Sequence, residues 1–320
     1  MATAAAANNQ KKISYRAKEV TKCPVCATTH FKEELLSGSG RLIAGKLTQE
    51  LQRLYEDNKK WGKINPLVYH VQVCPKCLFA AFPKDFTTLT SEEILALKNT
   101  VAHRQKVVET FFGKYDMGDN RSIVHGAIAY MLNVDCYHLR GPQSAPTPKK
   151  AVSAMRAAWL LDDLFKEANY RPYDKLRDFY YVEAARYYKR VLDTMTSGIE
   201  PMEESAYILG PSLDFNWAFD GVIYLNSYLT RKFIDQMATN PKDKYAIMDS
   251  SRRYLSKLYG SGKSSKSRPS VIIDMAKELY DEMGKMMERF RIEYDPAFAE
   301  LKAKEAAEAA AIVAKAQGGG

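Results

Sequence analysis

No run of apolar residues in this chain approaches the roughly 18–20 needed to cross a bilayer, which excludes a membrane-spanning helix. The stretch Met1 to Gln10 is alanine-rich but lacks a basic segment followed by a long apolar one, so it does not read as a secretory signal. Cysteine is scarce, with five in 320 residues, and at 46% hydrophobic residues a chain of this length buries an adequate core without disulfides. The chain is therefore expected in the cytoplasm, where thiols stay reduced. Catalytic signatures are missing as well. There is no His-Glu-x-x-His, no Gly-x-Ser-x-Gly and no EF-hand-like loop. Gly260-Ser-Gly-Lys-Ser-Ser-Lys-Ser invites a phosphate-loop reading, but Lys257 stands where that loop needs its first glycine, and a helical pattern rather than a strand precedes it. It reads as a basic linker between helices.

What is present is mildly basic and mainly helical. The net charge is +9, from 47 basic against 38 acidic residues spread along the chain, which permits contact with nucleic acid or anionic lipid without demanding it. Residues 1–12 read as disordered. Residues 13–90 carry the cysteine pairs, with β-like stretches near Ile13 to Tyr15 and Leu67 to Val73. Between the pairs, Leu42, Leu47, Leu51, Leu54 and Tyr55 recur at a spacing that predicts an inserted helix. From Ser91, read as an N-cap, to residue 295 the apolar residues fall on successive helical stripes. Examples are Val152, Met155, Trp159 and Phe165, and later Ile272, Met275, Leu279, Met283, Met286 and Phe290. Gln143 to Pro148, with its two prolines, reads as a loop. The stripes predict stacked antiparallel helical hairpins of a degenerate tetratricopeptide-like kind. Residues 296–320 form an Ala/Glu/Lys helix fading into a glycine tail.

The chemistry sits in two matched motifs, Cys23-Pro24-Val25-Cys26 and Cys74-Pro75-Lys76-Cys77, 47 residues apart. Each pair makes a tight turn that lets two thiolates converge while backbone amides face the sulfurs, and two such turns complete a tetrahedron. The expected occupant is one structural Zn²⁺ on Cys23, Cys26, Cys74 and Cys77, with no coordination position left open for catalysis. His30 and His70 stand near the motifs as candidate substitutes for a ligand. Cys136 with His138, and His125 nearby, form a weaker candidate for a nucleophilic pair. A fifth cysteine on an apolar helix is more simply a small buried hydrophobe.

The run Asn65-Pro-Leu-Val-Tyr-His-Val-Gln-Val-Cys-Pro-Lys-Cys-Leu-Phe-Ala-Ala-Phe, preceded by Cys23-Pro-Val-Cys, resembles an uncharacterised bacterial family catalogued as domain of unknown function 2225. Met155-Arg-Ala-Ala-Trp-Leu-Leu and Phe179-Tyr-Tyr-Val-Glu-Ala-Ala-Arg resemble its helical part, so the likeness covers roughly Thr21 to Asp193. The resemblance implies a zinc-ribbon-like front joined to tetratricopeptide-like helices, and no established activity. Where the family usually carries glycine after the second motif, this chain has Leu78, and Ala27 follows the first.

Three functions fit these expectations. The leading one is a scaffold or adaptor, not an enzyme, whose helices present a groove to a protein or peptide partner, with Arg156, Arg186 or Lys189 among its anchors. A second is nucleic-acid binding through Lys11, Lys12, Arg16, Lys18 and Lys22, with Tyr15 as a stacking residue. A third is a subunit of a self-assembling or larger structure.

Overall fold

The computed structural model describes residues 15–35, 42–260 and 269–317. The expected disordered N-terminus, most of the basic linker after Gly260 and the glycine tail lie outside the described residues. The chain divides into two compact units, Met1–Val222 and Ile223–Gly320.

The first unit opens with three antiparallel two-stranded ladders. Strands β1 (Arg16–Lys22) and β2 (Thr29–Glu33) pair with Val20 opposite Phe31, and the first cysteine motif forms their turn. The helix expected between the cysteine pairs is corrected to a hairpin of β3 (Ile43–Leu47) and β4 (Arg53–Glu56). Turn chemistry decides it. Thr48 Oγ1 accepts from the amides of Glu50 and Gln52, and Leu51 closes the turn in the left-handed region at φ 56°. Strands β5 (Gln72–Val73) and β6 (Ala80–Ala81) bracket the second motif, after a 3₁₀ turn at Pro66–Tyr69.

Helices follow as α1 (Ser91–Asn99), α2 (Val101–Phe112), α3 (Ile123–Tyr137), α4 (Pro146–Ala168) and α5 (Arg171–Thr196). The α1 cap is Thr90 rather than Ser91. Thr90 Oγ1 accepts from the Glu93 amide, and Glu93 accepts from the Thr90 amide, a reciprocal capping box. The expected loop through Pro148 is shortened, because Pro146 already begins α4, where a missing N–H costs nothing. Glu200 supplies the cap instead, taking hydrogen bonds from the Thr147 amide (2.9 Å) and hydroxyl (2.6 Å).

Residues 146–161 of α4 are buried on every face, so this helix, packed between α3 and α5, is the axis of the unit. Gly126 allows α3 its close approach, since a Cβ there would meet Leu160 at 3.0 Å and the Val68 backbone at 3.1 Å. The cysteine segment and helices α1 to α5 lie within the first compact unit, and the second motif and the strand after it bond to α2 and α3, as the next section details.

Helix α6 (Ala218–Met237) carries the chain into the second unit, which holds α7 (Pro241–Gly260), α8 (Ser270–Tyr294) and α9 (Pro296–Gln317). Met248, Leu255 and Leu258 of α7 are buried, as are Ile272, Leu279, Met283 and Phe290 of α8, much as the stripe predicts. Helix α9 is exposed along most of its length.

Candidate metal centre

Each cysteine motif folds into the same turn. In the first, the Ala27 amide donates to Cys23 O (2.9 Å) and the Cys23 amide to Thr28 O (2.9 Å). In the second, Leu78 donates to Cys74 O (3.0 Å) and Cys74 to Phe79 O (2.8 Å). The residue after each motif turns left-handed, Ala27 at φ 61° and Leu78 at φ 56°. These are the two positions where glycine would carry no steric cost, and a side chain there costs about 1–2 kcal/mol. Ala27 is exposed, so its methyl group gains little from packing. Ala27→Gly should therefore raise stability by about 1 kcal/mol, read as a higher denaturant midpoint at unchanged slope. Leu78 is a poorer test, because its side chain is buried.

The turns bring four sulfurs together. All lie within 4.8 Å of one another, with Cys23 to Cys77 at 3.6 Å and Cys26 to Cys74 at 3.5 Å. A disulfide needs about 2.05 Å, whereas thiolates about 2.3 Å from one tetrahedral ion sit about 3.8 Å apart. The set thus has the spacing of metal ligands. Backbone amides point at the sulfurs: Cys26 at Cys23, Lys76 and Cys77 at Cys74, and Phe79 at Cys77. The sulfurs alone compete for a single negative charge. Hydrogen bonds from Cys23 and Cys77 draw the Cys74 thiol far below its ordinary range. Cys77 is pushed up by its sulfur neighbours, and Cys23 most of all by Cys74. A divalent cation removes that conflict and lets all four ionise. The donor set fits a metal ion.

Helix α2 holds the second turn from outside. Arg104, 1% exposed, donates from Nε (3.3 Å) and Nη2 (3.1 Å) to Cys77 O, from Nη2 to Leu97 O (2.9 Å) and from Nη1 to Thr100 Oγ1 (2.7 Å). Helix α3 holds the strand beyond it. Cys136 Sγ accepts from the Ala80 amide, and Tyr137 Oη from the Phe82 amide. Nothing local in the sequence marks Arg104 for this task.

The remaining candidates go elsewhere. Among the described residues the cluster is the four cysteines, without His30 or His70. His30 bonds Phe31 O and sets its ring edge-on to Phe86. Cys136 and His138 serve different partners, since His138 Nε2 meets Tyr187 Oη at 2.7 Å, and burial pushes the Cys136 thiol up to about 11. His125 accepts at Nδ1 from the Ser122 amide at the start of α3 and bonds Asp116 O through Nε2. Arg156 is no surface anchor. It is 1% exposed, and its guanidinium donates to Pro211 O (2.8 Å), Gly210 O (3.2 Å), Tyr130 Oη (3.4 Å) and His70 Nδ1 (3.2 Å). Tyr15 is buried too, its hydroxyl bound between Asp119 O and the Arg121 amide, and so is not free to stack on a base.

His70 accepts from Arg156 and so must be neutral at Nδ1. Burial, with Arg156 beside it, lowers its pKa to about 3. In the unfolded chain it titrates near 6.5. Between these values the unfolded state binds the extra proton, so stability is whole above pH 6.5 and declines as pH falls toward 3. Because His70 is half-buried rather than fully enclosed, we expect a loss of about 1–2 kcal/mol at pH 5. The wild-type minus His70→Gln difference in unfolding free energy, followed from pH 7 to 5, isolates it from other titrating groups.

A second concentration of charge is structural. Asp85 Oδ2 accepts from Tyr137 Oη (2.5 Å), Lys149 Nζ (2.6 Å) and Tyr207 Oη (3.3 Å), and Lys149, wholly buried, also donates to Ser144 O (2.6 Å). These bonds tie the chain after β6 to α3 and α4.

With the centre in place, the family can be read. The model of an uncharacterized protein conserved in bacteria (DUF2225) matches residues 16–283, which spans the cysteine motifs and α1 to α7 and ends within α8. The chain belongs to this family. An uncharacterized protein of Borreliella burgdorferi is 37% identical over 281 residues, covering 88% of this chain and all of the relative. No solved structure matches the chain. Among the described residues, no helix is long and apolar enough to cross a membrane.

Proposed function

We propose that this member of the family is a non-catalytic cytoplasmic scaffold. A structural zinc ion on Cys23, Cys26, Cys74 and Cys77 fixes the front of a tetratricopeptide-like helical body, which presents its surface to protein partners. The observation that supports this reading is the cluster of four cysteine sulfurs, all within 4.8 Å of one another. Four thiolates fill a tetrahedral zinc and leave no position for a substrate or water. Cys23, Cys74 and Cys77 are buried, and Arg104 binds the second turn to α2. When bound, the ion supplies cohesion and Lewis acidity that no reactant reaches. Chemical crosslinking of the metal-loaded protein in its native cells, read by mass spectrometry, tests the reading. Partner peptides should crosslink to lysines of the helical body, such as Lys175 and Lys189. Finding none, or finding turnover of a substrate by the purified protein, would overturn it.

A second reading rests on the β1–β2 hairpin. Val20 and Phe31 sit opposite each other and are 61% and 51% exposed, with Lys18 and Lys22 exposed on the same strand as Val20. Phe31 there could do what Tyr15 cannot and stack on a single-stranded base. Anisotropy with labelled single-stranded RNA decides it. Binding that falls steeply with salt and is lost in Phe31→Ala supports it; no binding at low salt removes it.

A further inference from the structure

Within the first unit, α2 and α5 flank a groove of about 540 Å³ floored by α3. Its walls are stripes at i, i+4 and i+8: His103, Val107 and Phe111 on α2, and Arg171, Lys175 and Phe179 on α5. The two helices run in opposite directions along it. Phe112 stacks on Tyr173 near the start of α5 at 5.8 Å, while Asp135 of α3 feels His103 at the start of α2 and acts in turn on Tyr180.

The groove therefore has unlike ends. At one, Asp135 lines the wall, half-buried, and makes no hydrogen bond or ion pair with any described residue; burial raises its pKa, while the nearby His103 and buried Arg104 favour its charged form. At the other stand Arg171 and Lys175, about 7–13 Å away by the rise of α5. Between them the lining is apolar, and Phe179 is 54% exposed at the rim.

We infer that this groove docks a short extended segment of a partner protein, with Lys or Arg against Asp135, apolar residues in the middle, and Asp, Glu or a C-terminal carboxylate against Arg171 and Lys175. Charge complementarity selects that occupant. A nucleic acid would bring phosphates to the half-buried carboxylate. A fatty acid or anionic lipid carries charge at one end only, and its tail would meet Asp135. A mixed-charge peptide supplies both signs, and at about 3.3 Å per residue its charges lie two to four residues apart. The inference rests on the scaffold reading and names the partner chemistry of its helical surface.

Two fluorescein-labelled degenerate peptide pools test it by fluorescence polarisation on the metal-loaded full chain. One has Lys, three apolar positions and Glu; the other has the same positions with Glu first and Lys last. Both are blocked at their termini. The first pool should bind at least tenfold more tightly than the second. Asp135→Lys should cancel or reverse that preference, and Phe179→Ala, at an exposed site that leaves the fold intact, should weaken binding about tenfold. Equal binding of both pools, binding indifferent to both substitutions, or no binding overturns the inference. Crosslinked partners that map to the helical body outside this groove, unaffected by Asp135→Lys, would leave the scaffold reading standing and remove this one.

Discussion

Cys23→Ser and Cys74→Ser should each purify with less than a tenth of the metal bound by the wild-type chain, and residues 15–35 and 42–86 should lose their protection from hydrogen exchange. The ladders of this segment are too small to stand alone. β5 and β6 contribute two residues each, and β4 four. Isolated two-stranded hairpins are marginal in water. In comparable small sites, a structural zinc contributes about 10–16 kcal/mol of apparent binding free energy to folding, against a whole-domain stability of about 5–15 kcal/mol. One serine in place of a thiolate sacrifices much of that term. Because Ala80 and Phe82 are bonded to α3, and Cys77 O to α2, the loss should spread into those helices. Metal analysis beside hydrogen exchange checks both parts. Variants that keep one metal per chain, or keep their protection without it, would show that the four sulfurs are not the staple.

The cysteine turns were legible because their chemistry is local. A C-P-x-C repeat at two places specifies two identical turns, and the structure repeats every backbone bond between them. The helical stripes of α7 and α8 were legible for a similar reason, since one apolar face on one core is a periodic signal. The β3–β4 hairpin was not. Leu47, Leu51 and Leu54 fit a helical spacing, yet Leu51 is fully buried as the turn residue itself, its amide donating to Thr48 O at 3.0 Å. Glu50, beside it, accepts from Trp159 Nε1 at 2.6 Å and Tyr181 Oη at 2.8 Å, 109 and 131 residues away. Arg156 reads as one basic residue on a helix, and only the fold reveals that α4 is buried all round. Buried polar groups find their partners through topology, and local pattern carries no trace of it.

Arg104 is the sharpest case, and its replacement should have the second large effect. The guanidinium is buried with four donations to two carbonyls and a hydroxyl; Asp135 of α3 feels its charge but forms no ion pair with it. A buried cation without an ion-pair partner is costly unless further negative charge offsets it. Four thiolates around a divalent ion carry a net charge of −2, and Arg104 grips the backbone of one of those cysteines. The charge of the arginine and the excess charge of such a loaded centre would thus stabilise each other, and by linkage each would strengthen the other's hold. Arg104→Ala removes the cation and leaves the Cys77 and Leu97 carbonyls without these donors. With charged hydrogen bonds contributing roughly 1.5–3 kcal/mol each, the loss should be on the order of 3 kcal/mol or more. Arg104→Met keeps the bulk of the side chain but not the charge, so it separates packing from electrostatics. Both variants should release metal to a chromogenic chelator at lower chelator concentration than wild type. Arg104→Lys, which restores the charge without the two-pronged grip, should recover part of the difference. Equal metal retention in all three would mean that Arg104 only packs α2 against the turn, and that the centre meets its own charge through the backbone amides alone.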